Sequence, residues 1–98
     1  MIKELYFSWD NNKAQTNVLK HKVTFEEAKT AFDDIHGRLI PDPDHSESEE
    51  RFILLGMCEV SRLLTVVHCY RDDECHIRII SARKSTKAEK KQYQEFLI

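Results

Sequence analysis

The sequence predicts an α+β domain in which two N-terminal helices and one C-terminal helix pack on a mainly antiparallel β-sheet. Three observations carry that expectation. Two capping-box tetrads, starting at Thr24 and Thr86, each open an amphipathic stretch. Three consecutive runs rich in Ile, Leu and Val follow one another with only short polar connections between them. An aromatic-rich segment precedes the first helical stretch. With 98 residues the chain has material for one small core, so residues 1–98 are read as a single domain. Hydrophobic residues make up 41% of it and charged ones 33%, and the apolar positions are periodic, which argues against disorder.

Residues 5–9 read as a short strand ended by Asp10, whose carboxylate can accept the free N–H groups of a helix over residues 11–20. In that helix Ala14 and Val18 are expected on the buried stripe. Thr24, Phe25, Glu26 and Glu27 form the first capping box. The helix it opens shows Phe25, Ala28, Phe32 and Ile35 at steps of three and four residues, with Gly37 as a left-handed stop. Residues 41–50 carry five carboxylates (Asp42, Asp44, Glu47, Glu49 and Glu50) and no Lys or Arg, so they read as a solvated loop. The runs 51–57, 62–70 and 76–83 are expected to pair as an antiparallel meander, with Leu64, Val66, His68 and Tyr70 on one face of its middle strand. The overall order is strand, two helices, three or four strands, helix. Thr86 to Glu89 form the second capping box, and Tyr93, Phe96 and Leu97 let the last helix lie on the domain.

No apolar run approaches the roughly 18 residues of a membrane span, and the first ten residues lack a signal-peptide layout. Three cysteines, Cys58, Cys69 and Cys75, point to free thiols rather than a disulfide framework. A soluble, cytoplasmic protein is expected. Fifteen Lys and Arg against seventeen Asp and Glu give a net charge of −2, so the total charge does not favour nucleic acid. The distribution does: Arg78, Arg83, Lys84, Lys87, Lys90 and Lys91 fall within fourteen residues that hold one acid, Glu89.

Asn17, Lys20 and His21 place an amide, an ammonium and an imidazole together at a helix end, with Asn17 and His21 four apart on one face. Imidazole can carry protons to and from a ribose hydroxyl near neutral pH. The structural alternative is that Lys20 and His21 complement the helix dipole. Arg51, Arg78 and Arg83 begin or lie in strands, where rigid guanidiniums suit a phosphodiester and can offset charge growing on phosphorus. Ion pairing, of Arg51 with Glu50 or of Arg83 with Glu89, is the competing reading. Tyr93 and His68 are further candidates, although a core position is the commoner finding for each in such a place. A metal site from Cys58, His68, Cys69, Cys75 and His76 is disfavoured because their spacing matches no usual zinc pattern. The acidic stretch lacks the glycine and spacing of an EF-hand. No metal or other cofactor is expected.

Five phrases occur in order: F-x-W-D-x-x-K-x-x-x-N-x-x-K-H (7–21), V-T-F-E-E-A (23–28), F-D-D (32–34), D-H-S-x-x-E-E-R (44–51) and I-R-I-I-S-A-R-K-x-T-x-x-E (77–89), closed by Tyr93. Together they resemble the BrnT family of ribonuclease toxins from bacterial type II toxin-antitoxin systems. The resemblance implies a RelE-like fold, RNA cleavage that arrests translation and growth, and a cognate BrnA-like antitoxin. That antitoxin has a ribbon-helix-helix DNA-binding part, through which the complex reaches operator DNA. Where the family commonly has glycine after its K-H pair, this chain has Lys22.

On these grounds the expected activity is metal-independent endoribonucleolysis, in which a 2′-hydroxyl attacks the adjacent phosphorus. Lys20, His21, Arg78 and Arg83 are the expected catalytic set. Arg51, Tyr93, Asn17 and His68 are the candidates for a secondary catalytic or RNA-binding role. The alternatives are a module that binds nucleic acid without cutting it, and one whose basic face only docks an antitoxin.

Overall fold

The computed structural model of the protein describes residues 4–43, 49–95 and 97. Helices start where a side chain satisfies otherwise free N–H groups. Asp10 Oδ1 accepts from the Lys13 N–H at 3.0 Å and opens α1 (Asn11–His21). Thr24 Oγ1 accepts from the Glu27 N–H at 3.0 Å and opens α2 (Phe25–Thr30). Only half of that first capping box forms, because the Glu27 carboxylate turns instead to Arg62, whose Nε donates to it at 2.7 Å. That bond holds the Glu27 carboxyl below its ordinary range. The second box closes fully: Thr86 Oγ1 accepts from the Glu89 N–H at 3.2 Å, and Glu89 Oε1 from the Thr86 N–H at 2.8 Å, ahead of α3 (Lys87–Glu95).

The second helix is shorter than its apolar periodicity suggests. It gives way after Thr30 to a 3-10 turn, Ala31–Asp33, and Ile35 is 90% exposed. Gly37 is not in the left-handed region. Its lack of a side chain provides room: a Cβ there would lie 3.1 Å from both the Asp34 carbonyl oxygen and Leu54 Cδ1. Asp34 fixes this corner by accepting from the N–H groups of His36 (2.9 Å) and Met57 (2.8 Å). The chain then runs extended as β2 (Arg38–Pro41), a fourth meander strand not singled out in the sequence. Val18, expected to be buried, is 37% exposed, and Asn17 is the buried residue of α1 instead. Of the acidic loop and the last helix, Asp44, Glu47 and Phe96 lie outside the described residues.

The strands β1 (Tyr6–Ser8), β2, β3 (Phe52–Met57), β4 (Leu63–Arg71) and β5 (His76–Lys84) form one mixed sheet in the order β1-β5-β4-β3-β2. β1 runs parallel to β5; the other neighbours are antiparallel. α1, α2 and the 3-10 turn cover one face. There Val23, Phe25, Ala28 and Ala31 pack with Leu54, Leu64, Val66, Ile77, Ile79 and Ala82. Gly56 permits the closest approach, since a Cβ there would lie 2.7 Å from the Ala31 carbonyl oxygen. On the opposite face α3 covers only a corner, where Tyr93 packs with Leu55 and Leu63. The rest of that face is free of helices among the described residues. No described helix is long and apolar enough to cross a membrane.

Candidate functional site

Arg78 and Arg83 are five residues apart, so regular alternation would place them on opposite sides of the sheet. Their partners on β4 are Cys69 and Thr65, which are four apart and share a side. The register shifts between Val67, opposite Ser81, and His68, opposite Ile79. Ile80 is the extra residue of this β-bulge. Both guanidiniums therefore rise from the face opposite α1 and α2. At about 3.3 Å per residue they stand roughly 15 Å apart along the strand, a spacing suited to an extended polyanion and too wide for one phosphate.

The arginines on this face have different surroundings. Arg83 is clamped in a two-pronged pair with Glu89, at 2.7 Å from Nη1 to Oε1 and 2.9 Å from Nη2 to Oε2. Arg83 beside it pulls the Glu89 carboxyl down to about 2. Glu49, at the end of the acidic loop, sits 3.2 Å from Arg71 Nη2 and 3.9 Å from Arg51 Nε. Arg51 thus faces Glu49 rather than the Glu50 suggested by sequence proximity. Arg78 has a lighter contact, with Nη1 donating to Ser8 Oγ at 3.3 Å.

Ser8 was not among the candidate site residues read from the sequence, and His76 was weighed there only as a metal ligand. They meet because β1 pairs in parallel with β5, setting Tyr6 beside His76 and Ser8 beside Arg78. Ser8 Oγ lies 2.8 Å from His76 Nε2, and His76 Nδ1 lies 3.5 Å from Asp72 Oδ2. The Tyr6 ring packs against the imidazole, with centroids 5.0 Å apart. The faint signal in the sequence was the H-x-R spacing of His76 and Arg78, which puts both on one side of a strand.

Lys20 and His21 lie beside the free edge of β5. With Asn12, Lys13, Thr16, Asn17, Ile80 and Ser81 they line a groove of about 280 Å³. Asn17 acts as a bracket for that edge. Its Nδ2 donates to the carbonyls of Ala82 (2.7 Å) and Val23 (2.9 Å), and its Oδ1 accepts from the Ala82 N–H at 3.0 Å. One amide thus replaces a neighbouring strand where β1 has ended. Lys20 is exposed and His21 half-buried.

Tyr93 and His68 are placed elsewhere. Tyr93 is buried and donates its hydroxyl to Asp34 Oδ2 at 2.5 Å. Burial and the Asp34 carboxylate push that hydroxyl up to about 12. Burial also raises Asp34, but the bonds from Tyr93, Met57 and His36 outweigh it and leave the carboxyl lowered. His68 is a core residue on the helix side of the sheet, fully buried and edge-on to Phe32 with centroids 4.9 Å apart. Burial drives its imidazole down to about 4. Among the described residues core groups surround His68, a placement that fits a structural role for its ring. The Cys and His residues weighed as metal ligands do not gather: among the described residues no three His, Cys, Asp or Glu side chains converge as a cation site.

A mixed five-stranded sheet with helices on one face and a single helix on the corner of the other is a fold also found in a bacterial toxin. The 1.1 Å crystal structure of the Brucella abortus ribonuclease toxin BrnT matches with a TM-score of 0.64 at 19% identity. The match covers 85% of this chain and 99% of that one, and the likeness is one of fold. The family described as "Ribonuclease toxin, BrnT, of type II toxin-antitoxin system" matches residues 9–89, and the chain belongs to that family. A toxin of such a system has an antitoxin partner. No curated protein sequence matches the chain.

Proposed function

We propose that residues 1–98 form one RelE-like toxin domain that cleaves RNA without a metal ion and so arrests translation and growth in the bacterial cytoplasm. The observation that supports this most is the placement of Arg78 and Arg83 on one open sheet face, which the bulge at Ile80 makes possible. In this reading an RNA strand lies along β5. Arg78 holds the scissile phosphate, Arg83 a neighbouring stretch of backbone, and Lys20 and His21 approach from the strand's edge. Charge gathering on phosphorus as a 2′-hydroxyl attacks is offset by guanidinium groups already in place. The products are a cyclic phosphate and a free 5′-hydroxyl. The partner is a BrnA-like antitoxin with a ribbon-helix-helix part, through which the pair contacts operator DNA.

The test is cleavage of a single-stranded RNA in EDTA. The wild-type protein is expected to give a ladder, and a folded Arg78→Ala, Arg83→Ala double variant to lose at least about 100-fold in rate. Undiminished cutting by that double variant would remove the arginines from the mechanism. Salt-sensitive RNA binding with no product would turn the reading to a binding module.

A further inference from the structure

His21 is the imidazole that the sequence offers for proton transfer, but it lies in the α1 groove, on the edge of β5 rather than on its arginine-bearing face. A different histidine is on that face. His76 follows the β4–β5 turn, its side chain is 20% exposed, and it pairs across the sheet with Arg71 and Tyr6. From the same strand Arg78 projects in the same direction. We infer that His76 is the proton carrier of the RNA site, working beside Arg78, with Asp72 orienting its ring. The inference rests on the ribonuclease reading above.

The hydrogen-bond polarity supports it. A carboxylate can only accept, so when Asp72 engages His76 the ring proton is on Nδ1 and Nε2 presents a lone pair. Ser8 then donates its hydroxyl proton to Nε2 at 2.8 Å, and Arg78 Nη1 donates to Ser8 Oγ at 3.3 Å. Every group in the chain from Arg78 through Ser8 and His76 to Asp72 has its donor facing an acceptor. Ser8 also shows what the site accommodates: a hydroxyl held at once by an imidazole lone pair and a guanidinium. A ribose 2′-hydroxyl beside a phosphate has the same requirements. When RNA binds, the 2′-hydroxyl takes the position of Ser8 Oγ at Nε2 and the phosphate takes the Arg78 fork.

The step balances without a cofactor. The 2′-oxygen forms its bond to phosphorus as its proton passes to His76 Nε2, and the phosphorus–5′-oxygen bond breaks. The leaving oxygen takes a proton from water, and His76 returns its own proton to solvent. The Tyr6 ring against the imidazole and the Asp72 contact limit how the ring can turn.

Three variants test this on a fluorescent single-stranded RNA, with binding measured separately: His76→Gln, His21→Gln and His76→Ala. General acid–base catalysis contributes on the order of 100-fold or more. His76→Gln is expected to lower kcat by about that factor with KM and RNA affinity little changed. His21→Gln, at the strand's edge, is expected to weaken RNA binding and raise KM rather than to lower kcat by that factor. In His76→Ala, added imidazole should restore part of kcat, which a merely structural role for the ring would not allow. Wild-type kcat in His76→Gln, or the loss appearing in His21→Gln instead, overturns the assignment while leaving the ribonuclease reading intact. If the unaltered protein does not cut RNA, both fall together.

Discussion

Lys22 ends α1 at φ 59° and ψ 33°, with its N–H bonded to the Val18 carbonyl at 2.9 Å. A side chain in this left-handed region crowds its own backbone, and glycine avoids that cost. Lys22→Gly should therefore raise stability by about 1 kcal/mol, read as a higher urea midpoint at unchanged slope. An equal or lower midpoint would show that the cap is not strained. The end of α1 near Lys22 was legible in the sequence, because a helix end is a local event. Asn17 was legible only as one face-mate of His21; its bonds to Ala82 span 65 positions and no local pattern reports them. Ser8 and His76 stayed hidden for the same reason, being 68 positions apart and joined only through a parallel strand pair.

Caps explain why elements with a chemical start signal were readable and others were not. Asp10, Thr24 and Thr86 mark three helix starts within one residue of where they occur. Strand β2 has four residues, ends in proline and adjoins a run of acids, so nothing in its own composition distinguishes it from the loop; it exists because β3 offers an edge to pair with. At this scale Glu89 ties three elements together. It caps α3, clamps Arg83 of β5 and accepts from Thr65 of β4 at 3.0 Å. Glu89→Gln keeps the shape but discards the charge, and is expected to destabilise the protein by about 1–2 kcal/mol. Thermal melts followed by far-ultraviolet circular dichroism check this, and a melt superimposable on wild type would show that the cluster adds nothing.

Across the whole molecule, acid acts on two buried or bonded groups in succession. His68 has its folded pKa lowered from 6.5 to about 4 by burial, so between those values the unfolded chain binds the extra proton. Stability is complete above pH 6.5 and declines by about 3 kcal/mol as pH falls to 4. Glu89, lowered from 4.5 to about 2 by Arg83, adds a second decline between those two values. His68→Phe keeps a ring beside Phe32 and removes the proton site. Its unfolding free energy should vary less between pH 6.5 and 4 than that of wild type, as titrated in urea; parallel curves would place the dependence elsewhere.

Ile80 sets the phase of everything on either side of it along β5. With Ile80 kept but the bulge ironed flat, strict alternation would turn one half over: anchored by the Asn17 bracket, the strand would send Ile77 and Ile79 into water and His76 and Arg78 among the apolar side chains. Deleting Ile80 instead leaves Arg78 and Arg83 four apart, each on the face it holds now, so the shortened chain is expected to remain soluble and to melt cooperatively; an unfolded product would show that the bulge does more than keep phase. The residue that contributes no charge and no hydrogen-bonding side chain is thus the one that keeps both arginines on the same side of the sheet.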